Sequence, residues 1–270
     1  MTTSKTSLYA QFTASIPENY DRYLGLVLFD LYARDIAGRL PKTVRKVLET
    51  ACGTGIVTRR ILETLPSGAT LVATDLNAPM VEFARSSVGD DARLDWRAAD
   101  MGALDFPDAS FDAIVCQFGL MFAPDKDLAL REARRVLAPG GTLLFNVWDS
   151  LERNPFAFLA NDVITGFFPS DPPTFYLVPF CMSDRDRLRE MLARAGFAKV
   201  TDAVVPLESS APNAQELARG LVQGNPVVNE IQARSASVNE IERKLAERIR
   251  EELGDHPVPV RLQAIVFEAR

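Results

Sequence analysis

The chain is poor in the side chains on which most metal and nucleophile chemistry depends. Its 270 residues include one histidine, His256, and three widely spaced cysteines, Cys52, Cys116 and Cys181. That scarcity leaves neither a cluster at metal-ligand spacing nor a disulfide framework. No apolar run is long enough to span a bilayer, and no amino-terminal stretch has the basic, apolar and small-residue order of a secretory leader. A cytoplasmic, reducing location is the expectation. Basic residues are also in deficit, 30 Lys and Arg against 36 Asp and Glu, for a net charge of −6. Such a balance argues against a general nucleic-acid binder, which would present a basic face. No internal repeat or low-complexity tract stands out.

What is present is concentrated in Val47-Leu48-Glu49-Thr50-Ala51-Cys52-Gly53-Thr54-Gly55. Residues 44–48 read as a short buried strand and 56–65 have the apolar spacing of a helix, so the glycines occupy a strand-to-helix turn. Glycine suits that turn because the backbone must bend sharply and let a ligand approach where a Cβ would collide. A dinucleotide fingerprint would require a third glycine at position 58, where this chain has Thr58. Glu49, at the end of the strand, would repel a pyrophosphate and attract an ammonium or a sulfonium.

Further strands follow at regular intervals. Residues 70–75 end on Asp75, twenty residues past Gly55, where a ribose is held in nucleotide-binding sheets. Residues 94–98 run into Asp100 and Met101, a carboxylate for an adenine amino group and an apolar side chain for the ring. Residues 111–118 form a fourth strand and 126–137 a helix. Pro139-Gly140-Gly141 is its stop, and 142–148 form a fifth strand. Alternation of this kind builds a parallel sheet covered on both faces by helices, with ligands outside the carboxyl ends of its strands.

Residues 44–148 resemble the class I S-adenosylmethionine-dependent methyltransferases, with four motifs in order and at the right spacing. Residues 125–141 also resemble the branch that contains the ubiquinone and menaquinone biosynthesis methyltransferases. The resemblance implies an α/β, Rossmann-like doubly wound sheet of seven strands, mostly parallel with the last antiparallel, carrying helical lid and cap insertions. It implies S-adenosylmethionine as cofactor and S-adenosylhomocysteine as product. Glu49 would lie near the methionine amino group, and Ala51, Gly53 and Gly55 would offer backbone to that moiety. Asp75 would bind the ribose, Leu76 and Met80 would flank adenine, and Asp100 would take its amino group with Met101 beside it. Gln117 and Phe118 would line the floor beneath the sulfonium.

The expected organisation is a helical lid over 1–43, a cofactor-binding core over 44–150, an aromatic-rich cap over 151–183, and a return to the core over 184–270. Two helical patterns fill 209–255, between strands 199–207 and 260–268. Residues 20–40 read as one amphipathic helix with Tyr20, Tyr23, Leu24, Val27, Leu31 and Tyr32 on a single face, and Tyr23 is a candidate for cation–π contact with the sulfonium. The cap holds Phe156, Phe158, Phe167, Phe168, Phe175, Tyr176 and Phe180, which suggests an apolar or planar small-molecule acceptor. Lid or cap could alternatively meet a second subunit in a homodimer. Asp171-Pro172-Pro173-Thr174-Phe175 superficially resembles the motif of amino-directed nucleic-acid methyltransferases. It lacks an aromatic directly after the second proline and lies outside the fourth strand, so it reads as a stiffened loop.

Methyl transfer from a sulfonium is an in-line displacement on an activated donor, and a base is needed only where the acceptor must lose a proton. His256, Tyr176, Asp149 and Asp21 are the candidates for that task. The expected function is methyl transfer from S-adenosylmethionine to a small, apolar or aromatic metabolite. The alternatives are a nicotinamide-dependent oxidoreductase on the same sheet and a non-catalytic module that binds the cofactor alone.

Overall fold

The computed structural model describes residue 12 and residues 15–270. Seven strands make one sheet in the order β3-β2-β1-β4-β5-β7-β6. They are β1 (Lys46–Thr50), β2 (Thr70–Asp75), β3 (Leu94–Ala98), β4 (Phe111–Gln117), β5 (Leu137–Trp148), β6 (Val200–Ala211) and β7 (Val258–Ala269). Every neighbouring pair is parallel except those of β7, which runs antiparallel to β5 and β6. Val47, Leu48, Ala113, Ile114 and Val115 are buried. Continuous apolar runs of this sort suit central strands covered on both faces.

The chain winds outward from β1 through β2 to β3, then returns to place β4 on the other side of β1. Strand order reverses there, so the carboxyl ends of β1 and β4 open a crevice between diverging connections. Ala51 and Gly119 meet at its base. A Cβ on Gly119 would lie 2.4 Å from Ala51 Cβ and 2.9 Å from Cys116 Sγ. We expect Gly119→Ala to cost about 1–3 kcal/mol through overpacking, seen as a lower denaturation midpoint; an unchanged midpoint would mean that the two turns separate freely.

The helices are α1 (Ile16–Asn19), a π-helix (Tyr20–Phe29), α2 (Asp30–Gly38), α3 (Ile56–Thr64), α4 (Ala78–Val88), α5 (Lys126–Val136), α6 (Pro155–Gly166), α7 (Arg185–Arg194), α8 (Ala214–Gln223), α9 (Val227–Ala233) and α10 (Val238–Glu252). Residues 20–38 are thus not one α-helix. The wide turns of the π segment shift the later side chains round the axis. Leu28, Phe29, Tyr32 and Ile36 reach the core, whereas Leu31 is half-buried and Leu26 is exposed.

Three helices, not two, fill the interval between β6 and β7, because Gly224 and Pro226 break the pattern between α8 and α9. Both strands extend beyond the expected limits. They pair continuously from Val200↔Ala269 to Ala211↔Val258, and the hydrogen-bond ladder carries them through the polar Glu208-Ser209-Ser210. Likewise β5 starts at Leu137 and runs through Pro139-Gly140-Gly141, with a register shift opposite Phe111 to Ala113. One hydrophobic cluster includes Leu24, Leu48, Phe156, Phe175, Leu217 and Leu245, so lid, core, cap and helical insertion share a single core. Among the described residues no helix is long and apolar enough to cross a membrane.

Candidate active site

A half-open cleft lies along the carboxyl ends of β1, β2, β3 and β4. Nine of the residues expected at a cofactor line it: Ala51, Gly53, Asp75, Leu76, Met80, Asp100, Met101, Gln117 and Phe118. They come from four strand ends that are remote in sequence and adjacent in space. Ala51 and Phe118 adopt left-handed backbone conformations, φ 54° and 50°, which turn the chain sharply at the ends of β1 and β4.

Asp75 is buried, and both its oxygens are engaged. Oδ2 accepts from Gly53 N at 3.0 Å, and Oδ1 accepts from Asn77 N at 2.8 Å. Burial raises its pKa above the ordinary carboxylate value, and the hydrogen bonds from Asn77 and Gly53 oppose that rise. Asp100 is exposed at the edge of the cleft and accepts from Gly102 N at 2.8 Å. Gln117 Nε2 donates to Phe29 O at 3.2 Å, and Phe118 N donates to Asn146 Oδ1 at 3.0 Å. The Phe118 ring stacks on Trp148, centroids 4.0 Å apart. Those contacts hold the floor of the cleft rigid.

Glu49, Gly55 and Tyr23 do not line the cleft. Glu49 lies behind the Ala51–Gly53 turn, only 1 % exposed. Its Oε2 accepts from Thr58 Oγ1 at 2.7 Å, while its Oε1 and the nearby turn's Thr54 Oγ1 are buried without a partner. Burial first, and the Asp75 charge after the opposing Thr58 hydrogen bond, push the Glu49 carboxyl up to about 8. Gly55 begins α3 at φ 84°, and a Cβ there would lie 2.7 Å from Val88 Cγ2, so its task is to let α3 and α4 approach. Tyr23 faces α8, with the Arg219 guanidinium 5.9 Å from its ring centroid. The displacement follows from the π-helix, which puts Tyr20 toward the cleft and Tyr23 away from it.

None of the four candidate bases reaches the cleft. The His256 side chain is 75 % exposed beside Asp255 on the loop before β7. Tyr176 is buried, and its hydroxyl donates to Leu221 O at 2.7 Å. Asp149 accepts from Gln263 Nε2 at 2.6 Å, and Asp21 lies 3.7 Å from Arg59. The aromatic cap is also displaced from its expected place. Phe156, Phe175, Tyr176 and Phe180 are buried in the core, Phe158 is on the surface, and none lines the cleft. A large apolar ring gains more free energy by packing on the sheet than by walling an open cavity.

The structure adds Phe12, Tyr20, Asn77, Ala99, Gly119, Phe122, Ala123 and Pro124 to the lining. Asn77 and Gly119 follow directly from Asp75-Leu76 and Gln117-Phe118, so sequence adjacency could have found them. Phe12 precedes every element and carried no such signal. Tyr20 lines the cleft, and burial first, then the charges of Asp75 and Asp21, raise its hydroxyl pKa.

Residues 48–145 match the sequence family described as a methyltransferase domain. The chain is 30 % identical over 232 residues to the ubiquinone/menaquinone biosynthesis C-methyltransferase UbiE of Hahella chejuensis, covering 77 % of this chain and 92 % of that protein. The chain belongs to the class I S-adenosylmethionine-dependent methyltransferases. The Shewanella baltica UbiE is 29 % identical over 227 residues, with 75 % of this chain and 90 % of that protein covered. In fold, the methyltransferase resembles phosphoethanolamine N-methyltransferase 2 of Haemonchus contortus, solved with S-adenosyl-L-methionine. The TM-score is 0.60 at 16 % identity, over 99 % of this chain and 60 % of that one. It also resembles a SAM-dependent methyltransferase of Aquifex aeolicus, with a TM-score of 0.51 at 18 % identity over 75 % and 93 % of the two chains. Neither the oxidoreductase nor the non-catalytic alternative is favoured by these matches.

The cofactor of this methyltransferase is S-adenosylmethionine, and the residues present fit it. The cleft has a buried carboxylate for hydroxyl donors in Asp75, apolar side chains for a base in Leu76, Met80 and Met101, and, among the described residues, no Lys or Arg in its lining to repel a cation. Glu49 Oε1 lies unpartnered behind the turn, and an ammonium bound nearby would be complemented by the ionised form of that carboxyl.

Proposed function

We propose that the methyltransferase transfers the methyl group of S-adenosylmethionine to carbon in a small, neutral, largely apolar or aromatic acceptor of the hydroquinone or enol type. The observation that carries this reading is the lining of the cleft, whose only titratable side chains among the described residues are Tyr20, Asp75 and Asp100. Asp75 and Asp100 are assigned to the ribose and the adenine amino group, Glu49, Ala51 and Gly53 to the methionine moiety. Leu76, Met80 and Met101 hold the base, and Gln117 and Phe118 form the floor near the reacting carbon. Burial disfavours ionised Tyr20, so no strong base faces the acceptor. An electron-rich ring carbon or enol can attack first and release its C–H or O–H proton to water afterwards, whereas an alcohol would need its proton removed before or during attack.

When bound, the cofactor would supply a sulfonium methyl, with S-adenosylhomocysteine leaving as a neutral thioether. The protein aligns donor and acceptor and excludes water, a contribution worth roughly 7–11 kcal/mol in well-oriented cases. The printed name of the relatives, C-methyltransferase of ubiquinone and menaquinone biosynthesis, supports carbon as the acceptor atom. Three cysteines without a disulfide partner suit a cytoplasmic location.

The test is incubation of the purified protein with methyl-labelled S-adenosylmethionine and separate hydroquinones, phenols, amines and thiols. Label is expected on ring carbon of a hydroquinone. Label confined to nitrogen, oxygen or sulfur would overturn the acceptor assignment, and failure of S-adenosylhomocysteine to bind at all would overturn the cofactor site.

A further inference from the structure

Three aromatic rings from separate segments meet at the cleft. Phe12 lies outside any helix or strand, Tyr20 opens the π-helix, and Phe122 closes the short 3-10 turn after β4. The Phe12 ring stands edge-on to both others, 5.8 Å from Tyr20 at 90° and 5.9 Å from Phe122 at 88°. Those two are braced from behind. Tyr20 stacks on Phe29 at 4.6 Å, and Phe122 stacks on Phe175 at 6.3 Å, so the aromatic cap reaches the cleft through Phe122. Tyr20 and Phe122 pack against the hydrophobic core, whereas Phe12 meets them from outside it.

We propose that Phe12, held between Tyr20 and Phe122, is the specificity-determining residue for the acceptor and selects a neutral planar ring. This rests on the reading of the cleft as a methyltransferase site. With Asp75, Asn77 and Asp100 committed to the nucleoside, the remaining wall from Tyr20 to Phe122 and Pro124 carries no charge among the described residues. A charged acceptor placed against it would lose its hydration without a partner, which is unfavourable. A flat neutral ring instead replaces water with edge-to-face contacts, the geometry that the three rings already adopt with each other. Selection falls to Phe12 because it is the ring whose removal opens the wall without withdrawing a side chain from the core.

The experiment is calorimetric titration of the S-adenosylhomocysteine complex with three probes of one shape: 1-naphthol, 1-naphthoate and 1-naphthylmethylammonium. The neutral probe is expected to bind at least about tenfold more tightly than either ion. Phe12→Ala should weaken 1-naphthol about tenfold more than it weakens S-adenosylhomocysteine, in line with the loss of an aromatic pair and its buried area. Phe12→Tyr keeps the ring and should restore 1-naphthol binding. Tighter binding of an ion, no binding of 1-naphthol, or equal affinities in Phe12→Ala and wild type would each overturn the proposal. If wild type fails to bind S-adenosylhomocysteine, the reading of the site fails instead.

Discussion

Raising the pH from 5 to 8 is expected to lower the melting temperature of the ligand-free protein by roughly 10 °C, with Glu49 as the principal cause. Burial holds its carboxyl up to about 8, well above the ordinary glutamate value. The folded state therefore keeps a proton that the unfolded chain gives up at lower pH. Stability from this group is complete below the unfolded value, near 4.5, and is lost as pH rises through the folded one, a change on the order of 3–5 kcal/mol. Asp75, also raised by burial, acts in the same direction. Asp91, pulled down to about 2 by Arg93, acts oppositely but only under more acidic conditions.

Glu49→Gln should flatten the profile and leave the protein more stable than wild type above pH 8. It should also weaken S-adenosylhomocysteine, because a cation near the turn is paired with the ionised form. Binding to wild type should accordingly release a proton and tighten as pH rises toward 8. Melting curves of both proteins across this range provide the check, and a wild-type profile that stays level or climbs would refute the assignment.

The second large effect is expected from Asp75→Ala. The substitution removes a buried carboxylate that would accept from two ribose hydroxyls and that now accepts from Gly53 N and Asn77 N. Hydrogen bonds to charged groups are worth about 1.5–3 kcal/mol each, so affinity for S-adenosylhomocysteine should fall on the order of 10²- to 10³-fold. The Gly53 and Asn77 amides also lose their partner, so a modest drop in melting temperature should accompany the loss. Asp75→Asn, which retains one acceptor oxygen, should fall between the two. Calorimetric titration decides the matter, and affinity within threefold of wild type, by the usual energy conversion, would remove Asp75 from the ribose site.

The contrast between Asp75 and Glu49 shows what a linear reading of the chain can reach. Both are acids at strand ends beside the glycine turn, and both were legible as cofactor groups by spacing. Their depths differ. Asp75 lines the cleft, whereas Glu49 sits behind the backbone of the turn against Thr58. Spacing along a strand specifies which end a side chain occupies, while the helix that packs over it determines how deeply it is buried.

The N-terminal helix carries the same lesson. Apolar periodicity marked residues 20–40 as one amphipathic helix; residues 20–38 are helical, yet a π segment over 20–29 turns Tyr23 to α8 and Tyr20 into the cleft. A shift of one residue per turn leaves composition unchanged and alters every facing. In the cap, an abundance of rings was visible in the sequence, but it could not distinguish rings that line a cavity from rings that fill the core. Packing on Trp148 decided that for Phe156 and Phe180.

The amino-acid sequence by itself determined the alternation of strands and helices over residues 44–148, the glycine turn and the carboxylates at the ends of β1, β2 and β3, and the resemblance carried by those motifs pointed to the family and its cofactor. These depend on local chemistry: apolar period, turn-forming residues and charge at a fixed distance from the turn. Only the tertiary structure decided which side chains share the cleft, how far Glu49 is shielded from water, and that Phe12, Tyr20 and Phe122 stand together. Those depend on packing between segments, from Glu49 against Thr58 of the next helix to Phe12 against Phe122 across the fold, where burial and close approach, and not local pattern, determine each side chain's surroundings.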